Sequence, residues 1–85
     1  MKHITIDCSQ FENKDQLHEA FASALNFPAH YGKNLDALHD CLTAITEPTK
    51  LSLPGMRDLG AFARGFVLVL EDAESENDCL IVDIL

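Results

Sequence analysis

The sequence predicts an α/β fold: one domain over residues 1–85, with a three-stranded parallel sheet packed against about four helices in the order β-α-α-β-α-α-β. Three observations carry this reading. Short segments at residues 2–8, 49–53 and 79–85 are apolar or alternate with the two-residue period of a strand. The stretches between them place apolar residues at the three- and four-residue spacing of a helix. Strands separated by helices pair in parallel, through right-handed crossovers.

The elements follow in order. In residues 2–8, His3, Thr5 and Asp7 fall on one side and Ile4, Ile6 and Cys8 on the other. Residues 15–26 form a helix with Leu17, Phe21, Ala24 and Leu25 on its inner face, which leaves His18 on the surface. Asn13 or Asp15 caps its start, and Asn26 with Pro28 marks its end. A second helix over 35–46 starts from Asn34 and stops before Pro48. Its inner stripe is Leu35, Leu38, Cys41, Leu42 and Ile45; its outer side carries Asp36, His39, Asp40 and Thr43. Residues 49–53 are a short strand closed by Pro54-Gly55. A short helix is expected over 56–64, interrupted by Gly60 and Gly65. Phe66 to Leu70 has strand propensity, yet with the acidic run that follows it also suits a final helix. The acidic run from Glu71 to Asp78 reads as a solvated helix face or an extension of an acidic surface. Cys79 to Leu85 reads as a buried strand in which Asp83 is the odd residue out.

Composition narrows the function classes. The three cysteines are odd in number and widely spaced, with no C-x-x-C pair, so neither a disulfide framework nor a zinc site is expected. Cys41 and Cys79 read as core residues. Free thiols fit a cytoplasmic location, and neither a secretory leader nor a membrane span of ~20 apolar residues is expected. The net charge of −8, from 14 acidic and 6 basic residues, argues against nucleic acid and favours a basic partner or solubility alone. No P-loop, G-x-G-x-x-G or G-x-S-x-G motif occurs, so no cofactor is expected and the chain does not read as an enzyme.

The segment from His30 to Thr43 holds the candidate site. Asp36 and Asp40 lie four residues apart, a like-charge spacing that costs a helix a few tenths of a kcal/mol. Gly32 and Ala44 occupy the outer i±4 positions, so no lysine or arginine neutralises either carboxylate there. A glycine turn at Gly32 lets a partner's backbone come close, and Ala37, Thr43 and Ala44 leave the carboxylates accessible. Such a pair can accept bidentate hydrogen bonds from arginine. Two other readings stay open at this point: an acid–base pair of a hydrolase, which lacks a cleft signature, and a metal site at Asp36, His39 and Asp40, which draws on one element only. His30 and His39 read as surface contacts, Tyr31 as a partly packed ring at an interface.

Tyr31-Gly32-x-Asn34-Leu35-Asp36-Ala37-Leu38-x-Asp40-Cys41-Leu42-Thr43 closely resembles the signature of the barstar family, intracellular inhibitors of secreted ribonucleases. Leu17-His18, Pro28, Cys79, the chain length and the element order extend the likeness over most of the chain, while residues 55–78 match in pattern only. The resemblance implies a barstar-like α/β fold and a monomer that forms a 1:1 complex with a basic, extracellular, barnase-like ribonuclease, plugging its active site without touching nucleic acid or membrane. It implies a contacting face made of His30, Tyr31, Gly32, Asn34, Leu35, Asp36, Ala37, His39, Asp40, Thr43, Ala44 and Ile45. Asp40 would enter the phosphate-binding pocket, Asp36 would add a second charged contact, and Gly32, Asn34 and Thr43 would lie at the rim. The family's founding member carries tyrosine where His30 stands and tryptophan where His39 and Ile45 stand. An acidic contact in its last helix aligns near Ala73, which Asp72 and Glu74 flank here. These departures imply a different ribonuclease or a lower affinity. The alternative is a barstar-like module for a basic toxin or regulatory partner that is not a ribonuclease.

Overall fold

A computed structural model describes all 85 residues. Strand β1 (Lys2–Thr5) is followed by helices α1 (Lys14–Leu25) and α2 (Leu35–Thr43), strand β2 (Thr49–Leu53), helix α3 (Arg64–Glu76) and strand β3 (Leu80–Ile84). The sheet is parallel throughout, with β2 in the centre. The expected fourth α-helix is absent. Residues Met56–Asp58 and Ala61–Ala63 make two separate 3-10 turns instead, because Gly60 between them is extended and ends the first before the second begins. The ambiguous segment at Phe66 to Leu70 is helical, and its three-to-four spacing of Phe66, Leu70 and Ala73 supplies the buried stripe of α3.

Register explains the burial of the strands. Lys2, Thr49 and Leu80 form one cross-strand row, and Ile4, Leu51 and Val82 another; their side chains share the face on which the core lies. The alternate rows, His3-Lys50-Ile81 and Thr5-Ser52-Asp83, turn to the other face and stay exposed or half-exposed. The last strand is therefore not buried throughout. Ile81 is 41% exposed, and Asp83 is in place on the outer row. The regular ladder of β1 stops at Thr5, short of the expected residue 8, although the amides of Ile6 and Cys8 still donate to the carbonyl oxygens of Ser52 and Pro54. Gly55, at φ +84°, turns the chain beside Ser9, where a Cβ would come within 2.8 Å of the Ser9 nitrogen.

The core joins Leu51 and Leu53 of the sheet to Leu17 and Phe21 of α1, Leu38 and Leu42 of α2, and Phe66 and Leu70 of α3. Phe21 and Phe66 stack with ring centroids 6.0 Å apart. Two expected core cysteines are only half-buried, Cys41 and Cys79; Cys8 is the sealed one, and burial pushes its thiol up to about 11. All three cysteines are free. No helix is long and apolar enough to cross a membrane.

Helix α2 ends at Thr43 rather than at residue 46. The Asn77 side chain supplies the reason. Its Nδ2 donates to the carbonyl oxygens of Leu42 (3.0 Å) and Ile45 (2.9 Å), which satisfies acceptors left over at the helix end. Its Oδ1 accepts from the Cys79 amide at 2.9 Å, just before β3 begins. Its own amide closes α3 on the Ala73 carbonyl oxygen. Asn77→Ala leaves the Ile45 carbonyl oxygen and the Cys79 amide without this partner, and the Leu42 carbonyl oxygen with only the Ala44 and Ile45 amides. It is expected to lower the unfolding free energy by about 2–3 kcal/mol, read as a lower urea midpoint at unchanged m-value. Asn77→Asp, which keeps the acceptor and loses the donors, should be destabilised at least as much.

Candidate functional site

The site is built on α2 and the loop that enters it. Asn34 sets the start of the helix: its backbone is extended and its Oδ1 accepts from the Ala37 amide at 2.7 Å. The loop before it turns at Pro28, whose carbonyl oxygen accepts from the Tyr31 amide at 2.9 Å. The left-handed residue in this loop is Lys33 (φ +52°), not Gly32. Gly32 sits in a tight place instead: a Cβ there would stand 3.1 Å from the side-chain Nδ2 of the capping Asn34, which would have to shift by a few tenths of an ångström.

Tyr31 anchors the loop from below. Its ring packs on Phe27, with centroids 4.9 Å apart, and its hydroxyl meets Nδ1 of His18 at 2.6 Å. His18 is a correction to the expected surface position: it is 3% exposed and its ring tilts against Phe66 at 4.6 Å. Residue 18 lies three positions before Phe21, next to the apolar stripe, so the helix turns it inward beneath the loop. Burial holds its pKa below the usual imidazole value, with Asp15 opposing and Lys14 and Lys33 adding to the depression. Burial also pushes the Tyr31 hydroxyl up to about 12. A neutral ring with its proton on Nε2 accepts the hydrogen bond of the tyrosine hydroxyl at Nδ1.

Above this support, Asp36 and Asp40 are both exposed, one turn apart, and no cation pairs with either. Asn34, Ala44 and His30 are exposed as well, while Ala37, Thr43 and Ile45 are half-buried. Thr43 is held by its own helix, donating to the His39 carbonyl oxygen at 2.9 Å. Leu35, expected on the inner stripe, is 37% exposed. It lies over Gly65 of α3, where a Cβ would approach its Cδ1 to 2.7 Å, so the glycine sets how close the two helices come.

Two hollows flank the helix. Asp40, Ala44 and Ile45 share a groove of about 350 Å³ with Phe27 and Pro28. Lys33, Asn34 and Leu35 border a different cavity of about 360 Å³, next to His18 and Phe62. Of the sequence-predicted residues, Asp40, Ala44 and Ile45 thus border one recess and Asn34 and Leu35 the other. His39 is turned sideways: its Nε2 pairs with the Glu76 carboxylate of α3. Asp36, His39 and Asp40 do not form a ligand cluster, and no three His, Cys, Asp or Glu side chains gather anywhere as a metal ion would need.

Sequence reasoning missed His18, Glu76 and Asn77. Glu76 lies 37 residues from its partner, so no local pattern links them. Ala73, aligned with the family's acidic contact, is fully buried. Glu74 beside it is structural, accepting from the Val82 amide at 2.6 Å. Glu76, three residues after Ala73, is the acidic group of α3 that reaches the α2 surface.

The amino-acid sequence that builds this sheet, helix and loop matches a known family. The model of the Barstar (barnase inhibitor) family matches residues 1–78, and the chain belongs to this family. A Bacillus subtilis (strain 168) protein bearing the name "Putative ribonuclease inhibitor YrdF" is 40% identical over 81 residues, covering 89% of each chain.

The His18–Tyr31 contact has a pH consequence. The folded-state pKa of His18 is depressed, so the unfolded chain takes up that proton first as pH falls. The stability from the neutral ring is complete above about pH 6.5 and declines below it. Asp7, held below its ordinary value by the Ser9 amide and hydroxyl, responds only at more acid pH. Urea unfolding is expected to give a lower midpoint at pH 5 than at pH 7.5, and His18→Gln, though less stable, should flatten that slope. A parallel slope in the variant would assign the dependence to other groups.

Proposed function

We propose that this protein inhibits a basic ribonuclease by seating the His30–Asn34 loop and the outer face of α2 in the enzyme's cationic cleft. The observation that carries the reading is the pair Asp36 and Asp40: exposed, one helical turn apart and free of any neutralising cation. A ribonuclease cleft is cationic because it holds phosphates, and a carboxylate face meets that charge. Asp40 borders the groove with Ala44 and Ile45, where a side chain of the enzyme would find both a carboxylate and an apolar floor. Asp36 and Asn34 continue the face toward the loop. Family membership and the ribonuclease-inhibitor name of the relative support the same role. The inhibitor works as an intracellular safeguard against a secreted enzyme, one inhibitor to one enzyme.

His39 and Glu76 shape the choice of enzyme. An imidazole bound to a carboxylate replaces the broad aromatic surface found at this position in the family's founding member. The enzyme that fits therefore presents less apolar surface to α2 and a cation toward α3.

A panel of small microbial ribonucleases assayed with and without the protein tests this reading. Competitive inhibition of at least one basic member is expected. Asp40→Ala should weaken the complex by about 2–5 kcal/mol, the usual cost of truncating one partner of a desolvated ion pair, and Asp36→Ala by less. Both variants should stay folded because both positions are exposed. An Asp40→Ala variant that binds as tightly as the parent would overturn the site. With a net charge of −8, association should also slow steeply between low and physiological ionic strength in stopped-flow measurements. A flat salt dependence would mean that the acidity serves solubility.

A further inference from the structure

The chain has two arginines, Arg57 and Arg64, and both line one groove of about 510 Å³ between the two 3-10 turns and the start of α3. Its apolar wall includes Met56, Leu59, Val67 and Leu68, and no acidic residue lines it. Leu68 is 64% exposed, the most exposed large apolar side chain after Met1. The remaining basic residues are lysines, and none of them borders the groove. With 14 acidic residues in the chain, neither arginine takes a carboxylate partner. Asp58 follows Arg57 and Glu71 stands two turns beyond Arg64 on α3, yet both are exposed and unpaired. Arg57 is steadied by donating from Nε to the Ile84 carbonyl oxygen at 3.1 Å, which leaves its forked Nη end free for a carboxylate.

Arginine and methionine are favoured in protein interfaces, whereas lysine is depleted there. Two guanidinium groups at the rim of an apolar wall call for a ligand that carries both kinds of group. An extended peptide with apolar side chains between carboxylates meets that demand: the apolar side chains cover Leu59, Val67 and Leu68, and the carboxylates reach the arginines. With a net charge of −8, the rest of the surface repels such a segment, which confines it to this rim. A nucleic acid meets the same repulsion and leaves the apolar wall uncovered. We propose that this groove docks an acidic segment of a second protein, with apolar side chains on its wall and carboxylates on Arg57 and Arg64.

The groove lies apart from the acidic face of α2. On α3, Gly65 packs on Leu35 and Glu76 pairs with His39, while Arg64 and Val67 project from the side turned away from α2. No residue of the face built on α2 and its loop lines the groove. One chain can therefore hold a partner on each side, and the inference does not rest on the ribonuclease reading.

Titration of the isotope-labelled full chain with the peptide acetyl-Glu-Leu-Leu-Glu-amide, followed by NMR, tests it. Saturating shifts are expected between Met56 and Leu68, with a dissociation constant of about 0.1–1 mM. Peptides with glutamine in place of both glutamates, or glycine in place of both leucines, should bind at least about tenfold more weakly. Arg57→Gln and Arg64→Gln should each weaken the complex by about three- to tenfold. Lys2→Gln removes the same charge from β1 and should change the affinity by less than about twofold. Arg64 is exposed and makes no ion pair, so its variant should melt at the parent's temperature. Shifts that do not saturate by about 10 mM, a glutamine peptide that binds as tightly, or an Arg64→Gln variant that binds like the parent would overturn the proposal. So would tighter binding of decanoate, which would assign the groove to an apolar carboxylate, or groove shifts that grow with protein concentration alone, which would assign it to a second copy.

Discussion

The placement of α2 depends on the amide of Asn77. A carboxamide can donate twice and accept as well, and here one group uses its capacity across three elements. It closes the end of α2, follows the end of α3 and sets the first residue before β3. Without it, the Ile45 carbonyl group would lose its partner in a half-buried seam, and the angle between the two helices would rest on apolar packing and the His39–Glu76 contact. The acidic face needs that angle. Asp36 and Asp40 are carried by a helix of only nine residues, which would be marginal in isolation and takes its stability from what it packs against.

The electrostatics of the face follow from the same economy. Asp36, in the first turn of α2, lies where the helix dipole favours a carboxylate. Asp40 lacks that help, and no helix has a basic residue in its last turn. The repulsion left over is small, a few tenths of a kcal/mol at this spacing, and the core contacts of Leu38 and Leu42 on the opposite side of the helix outweigh it easily. Accepting that cost keeps two carboxylates accessible. His39 draws a further acidic residue, Glu76, onto the surface from α3, so the negative face is no longer confined to one helix.

Much of this was legible in the sequence because it rests on short-range rules. Asn34 as a cap, the inner stripe of Leu38 and Leu42 and the exposed pair Asp36 and Asp40 all follow from helical spacing. The parallel sheet follows from alternation of strand and helix patterns. What the sequence hid depends on distance in the chain or on backbone conformation. His18 is buried because Tyr31 and Phe66 each pack against it, and neither is near in sequence. The left-handed turn falls on Lys33 although Gly32 beside it is the residue conformationally suited to it. The last strand looked uniformly apolar, yet its register against β2 turns alternate residues outward, which no composition can reveal.

The loop and the helix of the proposed binding face are ordered by different means. The helix is fixed by its cap and by Asn77; the loop is fixed from beneath, by a tyrosine that stands on a buried histidine. A segment ordered before contact loses little entropy on binding, so more of the interaction energy appears as affinity. The arrangement also separates functions. His18 and Tyr31 are directed inward and hold geometry, while Asp36 and Asp40 carry no structural bond and are free to meet an ion pair. Substitution at the outer residues can therefore change what is bound without disturbing the fold. Of the departures from the family signature, His30 is exposed and His39 half-exposed, where a change is least costly to stability, while Ile45 is half-buried against the core.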